Sequence, residues 1–221
     1  MCAIFGHSGF RDKNLINKMS LDQSFRGPDE FNYYSDDNVS IGNNRLSIID
    51  VENGNQPIIS ENKRFVIVYN GMIYNFKEIR SYLEKKEVNF KSKSDTEVLL
   101  NSYIYWGDKC FNYFDGMWAV CIFDKEKNKL ILSRDYLGQK PLYYFCSNGK
   151  FCFSSKSDSI FLSNALEKKI NKDALGQYLL YSHIPAPFSI YENIHQVKAG
   201  EIIKYDLNEK KNNKKNILGS F

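Results

Sequence analysis

The chain has 221 residues, a formal net charge of +4, 43% hydrophobic residues and 15% aromatic residues. That length suits one large domain, and the composition allows a sizeable core. The charge is too small, and too concentrated near the lysine-rich end, to point to nucleic acid; no apolar run approaches ~18 residues, so no membrane span is expected.

The first apolar run is Cys2-Ala3-Ile4-Phe5. As a small side chain, Cys2 suits the start of a strand. If Met1 is removed, Cys2 instead carries a thiol with a pKa near ~8.5 beside an α-amine near ~7.7–8.0 that can take its proton. The residues alone leave both readings open. Odd and even strand residues face opposite ways, so His7 is read as structural and directed away from Cys2. The three histidines have no metal-ligand spacing, and no metal site is expected. Five cysteines form no CxxC pair; with no secretory signal, they suggest a reducing, cytoplasmic setting.

A polar, loosely amphipathic stretch from Lys13 to about Phe25 reads as a helix. Arg26-Gly27-Pro28-Asp29 reads as a loop. In Asn43-Asn44-Arg45-Leu46-Ser47-Ile48-Ile49-Asp50 the lone cation is either a solvated surface arginine or a guanidinium fork for a carboxylate. Phe65–Tyr69 has strand composition. Asn70-Gly71 after it reads either as a hairpin turn or as a tight turn whose amide and N–H form an oxyanion hole. Helices are expected over Phe76–Glu87 and Thr96–Trp106, the second capped by Ser94 and Glu97. Asp95 in its first turn either complements the helix dipole or binds an ammonium group.

Strands are expected at Trp118–Phe123, Lys129–Ser133, Leu142–Cys146 and Phe151–Ser154, with short connections implying antiparallel neighbours. Arg134–Pro141 reads as a polar turn between two of them. A last helix spans Ala174–Tyr181, capped by Asn171 or Asp173. The order is α+β, and two antiparallel sheets with outer helices would bury the apolar stripes.

Taken jointly, these segments are distinctive. Cys2 with Ile4-Phe5-Gly6, Arg26-Gly27-Pro28-Asp29, Arg45–Asp50, Asn55-Gln56-Pro57, Asn70-Gly71 with Ile73-Tyr74-Asn75, Ser94–Glu97, Phe114–Ala119, Arg134–Tyr144 and Phe153-Ser154-Ser155 resemble the glutaminase domain of glutamine-hydrolysing asparagine synthetases. That is a class II glutamine amidotransferase with the N-terminal-nucleophile hydrolase fold, a four-layer αββα sandwich. The resemblance covers about residues 2–207. It implies a glutaminase domain over 2–183 and a junction toward a missing synthetase domain over 184–207. The remainder, 208–221, is expected to be a disordered lysine-rich tail.

The resemblance also implies roles. Cys2 attacks glutamine to give a thioester and ammonia, and its α-amine relays the proton. Asn70 and Gly71 bind the oxyanion. Arg45 holds the substrate α-carboxylate. Leu46, Ser47, Ile48, Ile49, Met72 and Asp95 complete the glutamine site, and Arg26 shapes the loop over it. No cofactor or metal is implied in this chain; ATP and magnesium belong to the missing synthetase domain, which is the expected partner.

Two positions depart from the family pattern: Ala3 replaces glycine and Met72 replaces glutamate. Met72 loses a charge-assisted hydrogen bond of roughly 1.5–3 kcal/mol, so glutamine hydrolysis with a raised KM is expected. The alternatives are a glutamine-binding or regulatory module with little turnover, or an ammonia donor to another acceptor such as a sugar acid.

Overall fold

A computed structural model describes residues 1–217. The chain forms two six-stranded antiparallel sheets. Sheet 1 has the order β10(His195–Gln196), β8(Tyr143–Ser147), β9(Lys150–Ser154), β1(Ala3–Ser8), β3(Val39–Arg45), β2(Glu30–Ser35). Sheet 2 has the order β12(Lys211–Asn216), β11(Glu201–Asp206), β7(Lys129–Arg134), β6(Gly116–Asp124), β5(Phe65–Ile73), β4(Ile58–Ile59).

Strand alternation gives each sheet two apolar faces. The inner faces meet through Ile4, Ile41, Val66, Val68, Cys121, Leu132, Phe153 and Tyr205. The outer face of sheet 2 packs Ile67, Tyr69 and Trp118 under α2(Phe76–Glu84) and α3(Asp95–Trp106). The outer face of sheet 1 packs Ala3, Phe5 and Cys152 under α1(Leu15–Asp22). The result is the expected αββα sandwich. α2 stops before Glu87, whose φ is +63°; the Val88 N–H bonds back to the Leu83 carbonyl at 3.1 Å, closing the helix.

Several expectations are corrected. The Asn70-Gly71 hairpin turn does not exist: both residues lie inside β5, paired with Ala119 and Trp118 of β6. Gly71 serves close approach, since a Cβ there would sit 2.2 Å from the Met117 carbonyl oxygen. Arg134–Pro141 does not join sheet neighbours; it carries the chain from β7 in sheet 2 to β8 in sheet 1. The junction segment supplies β10 and β11 to the two sheets, and Lys211–Asn216 of the supposed disordered tail is β12, registered against β11. Residues 218–221 of that tail lie outside the described residues. β2 and β3 are not among the expected strands, yet every residue of β3 is buried.

Candidate active site

The register places Cys2 at the entry of β1 with its side chain on the same face as Ile4, toward sheet 2. Its Sγ accepts the Leu46 N–H at 3.4 Å and reaches the Leu46 carbonyl at 3.7 Å. The Arg26 Nε donates to the Cys2 carbonyl at 3.3 Å. Ala3 is fully buried in the outer core of sheet 1, so its methyl group turns away from the Cys2 side chain. His7 also faces outward, edge-on to Phe10, and burial lowers its pKa to about 4.

Asn70 and Met72 project from the inner face of β5, opposite Cys2 across the sandwich. Asn70 is 2% exposed, and its Nδ2 has no hydrogen-bond partner among the described residues. The Tyr69 N–H donates to Gln56 Oε1 at 2.6 Å and the Ile73 N–H to Asp95 Oδ2 at 3.1 Å. Both point away from β6, and strand alternation directs the intervening Gly71 N–H to that same edge. An amide donor and a backbone donor thus come together without a turn.

Arg45 is not a surface residue: it is 4% exposed. Its guanidinium donates to the carbonyls of Ile49 (3.2 Å), Asp50 (2.8 Å) and Val51 (3.1 Å), to Asn55 Oδ1 (2.8 Å) and to Glu30 (3.3 Å). It therefore organises the loop 46–55 as well as lining the pocket. Asp95 opens α3, whose cap is the Ser94 hydroxyl accepting from the Glu97 N–H at 3.2 Å. The Glu97 carboxylate reaches back to Lys91 and Ser92 instead of to Ser94. Asp95 accepts from the Tyr69 hydroxyl at 2.9 Å, and burial raises its pKa against that bond and the Ile73 N–H.

Cys2, Arg45, Leu46, Ile48, Ile49, Asn70, Gly71, Met72 and Asp95 line one pocket of about 170 Å³, the space of roughly five or six waters at ~30 Å³ each. Ser47 and Arg26 stand outside its lining; Ser47 donates its N–H to Asp29 at 2.7 Å. A larger open groove of about 830 Å³ beside residues 52–62 holds no cysteine and none of the unpartnered polar atoms, so the smaller pocket is the candidate site. Three further residues belong to it that their local sequence did not reveal. Gln56 ties β5 to Thr96, Tyr69 carries Asp95, and Lys140 enters from the 135–142 connection. Gln56 and Lys140 sat within recognised segments, but only the fold turns them inward.

The family model described as glutamine amidotransferase domain matches residues 1–216. Asparagine synthetase [glutamine-hydrolyzing] 1 of Bacillus subtilis is 39% identical over 85% of this chain and 30% of its own length. Asparagine synthetase [glutamine-hydrolyzing] 2 of the same organism is 36% identical over 90% of this chain and 27% of its own. The chain spans less than half the length of the curated relatives it matches. In fold, it resembles the glutamine phosphoribosylpyrophosphate amidotransferase from B. subtilis, with a TM-score of 0.71 at 16% identity, covering 98% of this chain and 49% of that one. No helix among the described residues is long and apolar enough to cross a membrane. With a sandwich of this kind, a cysteine at the head of an inner strand and a sequence match running almost end to end, the chain belongs to the glutamine amidotransferase family, and the relatives it matches are named asparagine synthetases.

Proposed function

We propose that Cys2, freed by removal of Met1, is the nucleophile that hydrolyses glutamine. The Cys2 α-amine takes the thiol proton, and Sγ attacks the side-chain amide carbon. The oxyanion of the tetrahedral adduct is met by Asn70 Nδ2 and the Gly71 N–H. Collapse breaks the C–N bond, the proton passes from the amine to the departing nitrogen, and ammonia leaves a glutamyl thioester. Water then cleaves the thioester to glutamate and restores the thiol. The observation that carries this reading is the unpartnered, buried Asn70 amide facing the cysteine in one pocket. A buried donor without a partner costs about 1–3 kcal/mol, a penalty that an oxyanion relieves.

Arg45 and Asp95 are the charged ends of the pocket, and we assign them to the α-carboxylate and α-ammonium of glutamine. Each part of this half-reaction is a protein group, so it calls for no cofactor. The ammonia acceptor is assigned to a synthetase domain or subunit that activates a carboxylate such as aspartate with ATP and magnesium. Five free thiols suit a cytoplasmic setting. The test is release of ammonia and glutamate from glutamine, with intact mass reporting loss of Met1 and any glutamyl adduct. Cys2→Ala is expected to abolish both release and adduct. Unchanged hydrolysis in that variant would overturn the assignment, and binding without release would select the regulatory reading.

A further inference from the structure

Lys140 lines the pocket that holds Cys2 and is only 7% exposed. Its backbone is pinned at both ends: the N–H donates to Asp135 Oδ2 at 3.0 Å and the carbonyl accepts the Arg134 Nε at 2.7 Å. Asp135 also takes the N–H of Trp118 at 3.2 Å, which bolts this connection to β6 beside Gly71. The Arg134–Asp135 pair, left without a role by the local sequence, thus aims one lysine into the site. The Lys140 ammonium has no ion pair or hydrogen bond among the described residues. An ammonium that reaches the pocket without a protein partner is placed to pair with an anion that arises there.

The candidate anions can be sorted. Burial lowers the Lys140 pKa; of the three titratable groups that act on it, Cys2 favours its charge most, Arg26 opposes it and Asp135 favours it. The Asp135 carboxylate is already occupied by the N–H groups of Trp118, Leu137, Gln139 and Lys140. Arg26 is held on the Cys2 carbonyl. Arg45, Tyr69 and Asp95 line the same pocket, but none of them is among the groups that act on Lys140. The Cys2 sulfur remains. We propose that Lys140 is the counter-cation of the Cys2 thiolate, set in place by the Arg134–Asp135 knot. This rests on the reading of Cys2 as nucleophile, and its test runs without glutamine turnover, so either can fail alone.

The experiment is the pH dependence of Cys2 alkylation by iodoacetamide, read on the N-terminal peptide by mass spectrometry in the full chain. Lys140→Gln is expected to raise the midpoint by about one pH unit, and Lys140→Arg to leave it at the wild-type value. Lys140→Met, which keeps the aliphatic stem, is the companion neutral variant, and circular dichroism checks each fold. An unchanged midpoint in a folded neutral variant overturns the proposal. So does a raised KM for glutamine with no shift in midpoint, which would place Lys140 on a substrate carboxylate instead. Loss of fold in both neutral variants overturns it too, because the lysine is then structural.

Discussion

Truncating Asn70 separates catalysis from stability. The side chain is 2% exposed on the inner face of β5, and its Nδ2 bonds to nothing among the described residues. Asn70→Ala removes one of the two proposed oxyanion donors. Such losses raise the barrier by about 2.7–4 kcal/mol, so kcat should fall roughly 100- to 1000-fold. KM should hold, because Arg45 and Asp95 are untouched. The folded state responds differently. Removing an unpaired buried donor recovers about 1–3 kcal/mol, while the small void left behind costs about 1 kcal/mol. The net change is near zero or favourable, and Tm should stay within ~4 °C of wild type or rise. Steady-state ammonia release and a thermal melt read the two quantities. A fall in kcat of less than ten-fold, or a Tm loss above ~5 °C with activity tracking the folded fraction, would refute the reasoning.

Two further outcomes follow from buried titrating groups. His7 has its pKa lowered from 6.5 to about 4 by burial. The unfolded chain therefore takes up a proton that the folded state resists, and stability should drop by about 3 kcal/mol as pH falls from 6.5 to 4. His7→Leu should lack that loss in urea titrations at pH 7 and pH 4; an identical acid loss would sink the assignment. Burial raises the Asp95 pKa, so its contribution is greatest below the unfolded value of ~3.9 and is lost as pH rises through the folded value. Asp95→Asn should thus be more stable than wild type at neutral pH. It should also raise KM for glutamine about 10- to 150-fold through loss of the ammonium bond. A lower Tm at pH 7, or an unchanged KM, would count against it.

The apolar half of the fold was legible. β1 and β5 to β9 announce themselves by aromatic and β-branched runs, and α3 by Ser94 ahead of its stripe. β3 did not, because Ser40, Asn43, Asn44 and Arg45 are polar residues whose partners come from elsewhere in the chain. Asn43 Nδ2 reaches the carbonyls of Ala3 and Tyr69, and the Asn44 amide exchanges bonds with Ser20. Burial of such residues depends on tertiary partners that no local window contains. The site follows the same rule. Cys2, Asn70 and Asp95 each had an ordinary local reading, and only their joint order singled them out. Asn70-Gly71 shows why: the dipeptide that favours a turn also suits a strand pressed against Met117, and packing against β6 decided between them. Arg45 was legible as a cation in an apolar stretch, but not as the clamp of the 46–55 loop.

The position of β1 between β9 and β3 has a dynamic consequence. An interior strand exposes its amides only when neighbours on both sides part, so the backbone leading from Cys2 opens close to the free energy of global unfolding. Ile48 at 71% and Val51 at 60% exposure lie instead on a loop whose carbonyls the Arg45 guanidinium gathers. Amide exchange should be slow at Phe5 and Gly6 and fast at Ile48–Asn53. The molecule roots Cys2 at the head of an interior strand and leaves the rim of the pocket to an exposed loop, so opening the pocket need not loosen the sulfur.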